Sequence, residues 1–234
     1  MKDNSLYKLG GFASIVVGIS YAVIGGTFLL MDPALAGYEN NAQAPFLFLE
    51  ENLGLLMTNY WAYILGAVFA FAMIPAVSAT VQHLNEGWVR WTSSLATLAF
   101  AVTILDNYWA IVMNPPRAAA YLTGNEALRT TLTVPGAPQW IDVQNWLAFG
   151  AVGLWVLVVS LLALRSNAWS KGLAYLGIAL AFVYFLALSP IVFPSLSGVV
   201  IFTVVAGGGG VVLAPIWYIW MGIHLRRMAS QEAK

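Results

Sequence analysis

Six apolar segments divide the chain, each close to the roughly 20 residues that a helix needs to cross a hydrocarbon core. They are Leu9–Met31, Thr58–Val81, Trp91–Asn114, Val143–Leu164, Gly172–Val192 and Ser197–Ile223. Backbone that enters lipid must satisfy its own N–H and C=O groups, which leaves helices or a closed barrel. The strict alternation of barrel strands is missing, so the segments read as helices. Composition agrees: 60% of the residues are hydrophobic and 9% charged, against roughly 25% charged in soluble domains. The expected fold class is all-α integral membrane, a single domain over residues 1–234 with six transmembrane helices.

Charge placement sets the expected orientation. With the N-terminus inside, Lys2, Lys8, Arg90, Arg165, Lys171, Arg226, Arg227 and Lys234 are cytoplasmic, and only Arg117 and Arg129 fall outside. That bias follows the positive-inside rule, and six spans return the C-terminus to the cytoplasm. Lys2, Lys8 and Ala34-Leu35-Ala36 imitate a secretory leader and its cleavage site. The apolar run between them exceeds the usual signal core of about 7–15 residues, so a retained first helix is expected.

The inner links, Gln82–Arg90 and Arg165–Lys171, are too short for a catalytic domain. The outer connections, 32–57 and 115–142, are long, and connections of that length are usually functional. Pro45–Leu56 reads as a short amphipathic helix, and Gly124–Arg129 as a turn entering another that the Pro135-Gly136-Ala137-Pro138 turn ends. These two loops are expected to form a cap with short outer-loop helices. On the first helix, Gly10, Ser14, Gly18, Ala22 and Gly26 recur every four residues. Such a stripe allows close helix approach, within the chain or in a homo-oligomer.

Several function classes find no support. The formal net charge is +0 and no basic run is present, so no nucleic-acid partner is expected. Cysteine is absent, which excludes disulfides, thiolate metal sites and cysteine nucleophiles. His83 and His224 both lie at the inner edge, and no HExxH spacing exists. Gly207–Gly210 lacks the Lys-Ser/Thr of a phosphate loop. No cofactor, metal site or catalytic residue is assigned, and the reading leans away from an enzyme.

One segment stands apart. Asp106 is an acid inside the third apolar segment, where an ionisable group costs about 2.5–3.5 kcal/mol on insertion scales and marks a functional site by default. Thr92, Ala96, Ala99, Thr103, Asp106 or Asn107, Ala110 and Asn114 follow one another by three or four residues, forming one small-and-polar stripe. Such a stripe faces other helices or a wet cavity. No Lys, Arg or His sits in the central part of any span. Asp106 is therefore neutral, hydrated, or paired from above by a loop cation, for which Arg129 is the preferred candidate.

Most of the aromatics read as interfacial belt residues, with Trp88, Trp91 and Trp169 at the inner face and Trp217 and Trp220 nearby. At the outer level, Tyr60-Trp61 and Tyr108-Trp109 gather near polar residues, the usual composition of a small-molecule site. The candidate ligand-binding residues are Asp106, Asn107, Tyr108, Trp109, Thr103, Tyr60, Trp61, Arg129 and Trp146.

Pro215–Leu225, with its Trp217-Tyr218-Ile219-Trp220-Met221-Gly222 core, resembles the ending of a broad group of uncharacterised bacterial multi-pass membrane proteins. Lys8-Leu9-Gly10-Gly11 is similar to their beginnings. The resemblance covers these two ends and implies a bacterial cytoplasmic (inner) membrane location and one all-helical domain; it implies no activity and no site residue. The expected function is binding of a small or lipidic ligand, or of a membrane partner subunit, from the extracytoplasmic side. A transporter or proton-coupled carrier using Asp106 is the alternative.

Overall fold

A computed structural model describes residues 5–30, 44–133, 141–142, 146–192 and 209–231. The regular elements among them are all helical. α1 runs Ser5–Leu30, α2 Ala44–Glu51, α3 Leu53–Ala79, α4 Glu86–Thr123 and α5 Glu126–Thr133. A π-helical turn, Trp146–Ala151, opens α6 (Val152–Ser166), and α7 (Lys171–Val192) and α8 (Gly209–Gln231) follow.

Five of these stretches are long and apolar enough to cross a membrane: α1, α3, α4, the π turn with α6, and α7. The sixth expected segment, Ser197–Ile223, is described only from Gly209, where it lies in α8. Large apolar side chains point outward from the bundle, among them Phe12, Ile19, Leu65, Leu98, Phe182 and Val212. Water-soluble monomers rarely expose such a surface, whereas lipid accepts it.

Helix packing follows chain order. Each of α1, α3, α4, α6, α7 and α8 packs against the next, and α8 returns to α1, so the long helices close into a ring. Met73, Ile74, Trp155, Leu180, Trp217 and Tyr218 fill its middle, all fully buried. Trp169 and Trp217 are thus core residues rather than belt residues. Trp169 donates to Thr80 Oγ1 at 3.0 Å, and Trp217 packs edge-on against both Trp155 and Trp169.

Small residues bring α1 onto its neighbours. A Cβ at Gly10 would lie 2.0 Å from Ala76 Cβ on α3, and one at Gly18 would lie 3.0 Å from the Pro215 carbonyl of α8. Ser14 Oγ donates to the Tyr218 carbonyl at 2.6 Å. At Gly10, Ser14 and Gly18 the stripe therefore serves packing within the chain.

A hydroxyl relay ties α6, α3 and α4 together. Trp155 Nε1 donates to Ser78 Oγ at 3.0 Å, and the Ser78 and Ser93 hydroxyls are 2.7 Å apart. Ser93 Oγ donates to the Val89 carbonyl at 2.6 Å, so the chain of donors runs from Trp155 through Ser78 to Ser93. Ser78→Ala strands the buried indole N–H. Its expected cost is about 1–3 kcal/mol, read as a lowered unfolding midpoint in detergent, with Ser93→Ala costing less.

α4 departs furthest from expectation. The third span was read as Trp91–Asn114, with the outer connection beginning at Pro115, yet the helix continues to Thr123. Its 38 residues make it roughly 57 Å long, well beyond a hydrocarbon core of about 30 Å. The two prolines remove two intrahelical donors. Contacts on the far side offset that loss: Phe46 of α2 stacks on Tyr121 at 4.2 Å, and Arg129 of α5 donates to the carbonyls of Tyr121 and Leu122. Where one short helix was read over Pro45–Leu56, α2 ends at Glu51 and α3 begins at Leu53; α5 follows Gly124 over Glu126–Thr133. The Pro135–Pro138 turn lies outside the described residues.

Candidate functional site

The stripe on α4 faces inward. Thr92, Ala96, Ala99, Asp106, Asn107 and Ala110 are buried, with Asp106 only 6% exposed and Asn107 8%. At the level of Asp106 the ring holds a cavity of about 320 Å³. α1 contributes Tyr21 to its wall, and α3 contributes Asn59, Tyr60 and Tyr63. From α4 come Phe100, Thr103, Asp106 and Asn107; Asp142, Ala148, Phe149 and Val152 complete it.

Two carboxylates build one side from the backbone outward. Asp106 accepts the backbone N–H of Ile141 on Oδ1 at 2.5 Å and that of Asp142 on Oδ2 at 3.1 Å. Asp142 accepts in turn from the N–H groups of Leu147 and Ala148, both at 2.9 Å on Oδ2. The first N–H groups of a helix have no partner within it, and a carboxylate suits its positive end. Asp142 thus caps the π turn that opens α6, and Asp106 holds Asp142. The acid in α4 fixes where the chain enters α6.

Arg129 is a correction. Expected as the counter-charge of Asp106, it instead donates from Nε to the Tyr121 carbonyl at 2.9 Å and from Nη2 to the Leu122 carbonyl at 3.0 Å. Its guanidinium also lies over the Tyr121 ring, 5.7 Å from the centroid. The last carbonyls of α4 lack intrahelical donors, and a cation a few residues onward satisfies them at short range. Asp106 is served by backbone amides instead.

The other expected residues divide by helix face. Thr103, Asp106, Asn107 and Tyr60 line the cavity. Tyr108 and Trp61, at 59% and 56% exposure, point away from the bundle, and Trp109 and Trp146 are also exposed. Tyr21, Tyr63, Phe100 and Phe149 were missed by the sequence reading.

Hydrogen bonds fix the amides on the wall. Asn59 Nδ2 donates to Thr27 Oγ1 at 2.7 Å and weakly to the Ile24 carbonyl at 3.4 Å. Asn107 Nδ2 donates to the Thr103 carbonyl at 2.8 Å, and Asn114 Nδ2 to Tyr60 Oη at 3.1 Å. A carbonyl can only accept, so these bonds settle which end of Asn59 and Asn107 is which. Both amide nitrogens are engaged, and both Oδ1 atoms are left without a hydrogen bond among the described residues.

No group of three His, Cys, Asp or Glu side chains able to hold a metal occurs among the described residues. The wall presents acceptors, two carboxylates and aromatic faces around a space. Comparison with protein-family models, with curated proteins and with solved structures finds no match to the chain.

Proposed function

We propose that the chain is an integral protein of the bacterial cytoplasmic membrane that binds a small ligand in the Asp106 cavity from the extracytoplasmic side. In this reading it spans six times with both ends inside, and the cavity end of the ring, which carries α2 and α5, faces outward. Eight lysines and arginines on one side against Arg117 and Arg129 on the other support that orientation.

The observation that carries the reading is the cavity itself. At about 320 Å³ it is roughly twice the engineered space of about 150 Å³ that admits benzene, and it combines aromatic walls with a few oriented polar groups, the composition of a small-molecule site. A library of small amphiphiles screened by thermal shift on the protein in nanodiscs is expected to yield stabilising compounds. Their effect should vanish in Ala148→Trp, which fills the cavity. Equal stabilisation of both proteins, or of neither, contradicts the proposal.

One observation favours a carrier as the second reading. Ser20 Oγ, Ser160 Oγ and Trp217 Nε1 are buried without a hydrogen bond among the described residues, and Tyr218 packs against Trp217. Tyr218 lies next to the cavity residue Tyr21, with ring centroids 5.2 Å apart. Against it stand Val81, Leu173, Met221 and Leu225, which are fully buried and pack the other end of the ring. Uptake that is lost in a folded Asp106→Asn protein would favour the carrier.

A further inference from the structure

We infer that the ligand of the cavity is a small organic cation, a protonated amine bearing an apolar or aromatic body. This rests on the binding reading above and adds the class of ligand.

The wall offers acceptors. With their nitrogens engaged elsewhere, Asn59 and Asn107 have Oδ1 atoms that are unpaired among the described residues, and Asn107 is more than nine-tenths buried. Asp106 and Asp142 each accept backbone N–H groups. Those amides orient the carboxylates without cancelling their formal charge, and a carboxylate has about four lone-pair sites, so capacity for a further donor remains. A ligand that supplies N–H donors completes these groups; one that supplies only acceptors leaves them unpaired, which is costly in a buried site.

The wall withholds cations. By chain order, Arg117 and Arg129 are the only lysines or arginines at this end. Arg129 is committed to the end of α4. Arg117 lies eleven residues beyond Asp106, about 16 Å along the helix. Residues 31–43, 134–140, 143–145 and 193–208 contain no lysine, arginine or histidine.

Aromatic faces and the wider field act in the same direction. Tyr21, Tyr63, Phe100 and Phe149 place rings around the space, and a cation is attracted to a ring face most strongly where water is excluded. Among the described residues this end also carries Glu50, Glu51, Asp106, Glu126 and Asp142. Five acids against two arginines give a negative end that draws cations in and repels anions.

The test uses the whole protein in nanodiscs and three probes of similar shape: 2-phenylethylamine, 2-phenylethanol and 3-phenylpropionate. The amine is expected to bind about tenfold or more tighter than the alcohol, with the acid weakest. Asp106→Asn should remove the amine's advantage over the alcohol. A second measurement does not depend on that variant: on Thr103→Cys, a cationic methanethiosulfonate should react faster than an anionic one, after correction for their rates with free thiol. If the alcohol or the acid binds the cavity as well as the amine, or if Asp106→Asn leaves the amine's advantage intact, the cation assignment falls and the binding site stands. If none of the probes binds and the two reagents react alike, the assignment falls; if Ala148→Trp also leaves every stabilising compound unaffected, the binding reading falls with it.

Discussion

Asp106→Ala is expected to lower the unfolding free energy by about 3–5 kcal/mol, because it removes the acceptor of two charge-assisted hydrogen bonds and strands two backbone donors. Those donors are the N–H groups of Ile141 and Asp142. Asp142 itself caps Leu147 and Ala148, so the loss propagates: once the chain at 141–142 is released, the π turn loses its acceptor. Asp106→Asn keeps one oxygen and turns an amide against a donor, so its cost is about half. Reversible unfolding in mixed micelles with rising denaturing detergent measures both. A cost within about 0.5 kcal/mol, the size of an ordinary surface change, would mean that the carboxylate does not hold the start of α6.

The second large effect lies at the seam between α1 and α8. A Cβ at Gly222 would stand 2.6 Å from the Gly11 carbonyl oxygen, 2.6 Å from Ile15 Cγ1 and 3.0 Å from Ile15 N. Two of those atoms are backbone of a packed helix and cannot turn aside. Gly222→Ala is therefore expected to cost about 2–4 kcal/mol, at or above the usual overpacking penalty, despite alanine's better helix propensity. Small residues at membrane helix interfaces work by allowing this approach. Gly26 is the control, since a Cβ there meets nothing within 4 Å. Gly26→Ala should leave stability unchanged or raise it by up to about 1 kcal/mol. Equal behaviour of the two variants would show that the α1–α8 approach is not close.

Much of this architecture is legible in the sequence because periodicity carries it. The spacing of Thr92, Ala96, Ala99, Asp106 and Ala110 names a helix face, and that face is buried. Adjacency misled where periodicity did not. At 100° per residue, Tyr108 and Trp109 fall about 150° and 110° from the middle of the Asp106–Asn107 face, so the neighbours in sequence are exposed. The same geometry separates Trp61 from Tyr60 on α3. It also offered a signal for two missed residues: Tyr63 follows Asn59 by four positions, and Tyr21 follows Gly18 by three.

Other parts had no local signal. The amides that Asp106 binds are 35 and 36 residues away, and no spacing rule anticipates them. Phe149 and Val152 reach the cavity through a π turn, whose register differs from the helical period. Pro115 and Pro116 carried a stop signal that tertiary contacts overrode. Asp142, directly before an apolar run, was in the position of a helix cap.

The proposed ligand site beside Asp106 opens to the outer face. The chain has no cysteine, so a single thiol can be placed without background. Thr103→Cys, in vesicles of known sidedness, should react with a membrane-impermeant thiol reagent added from the extracytoplasmic side and not from the cytoplasmic side. Bound 2-phenylethylamine should slow that reaction. Labelling from the cytoplasmic side alone, or a thiol that neither side reaches, would rule out an outward-facing site.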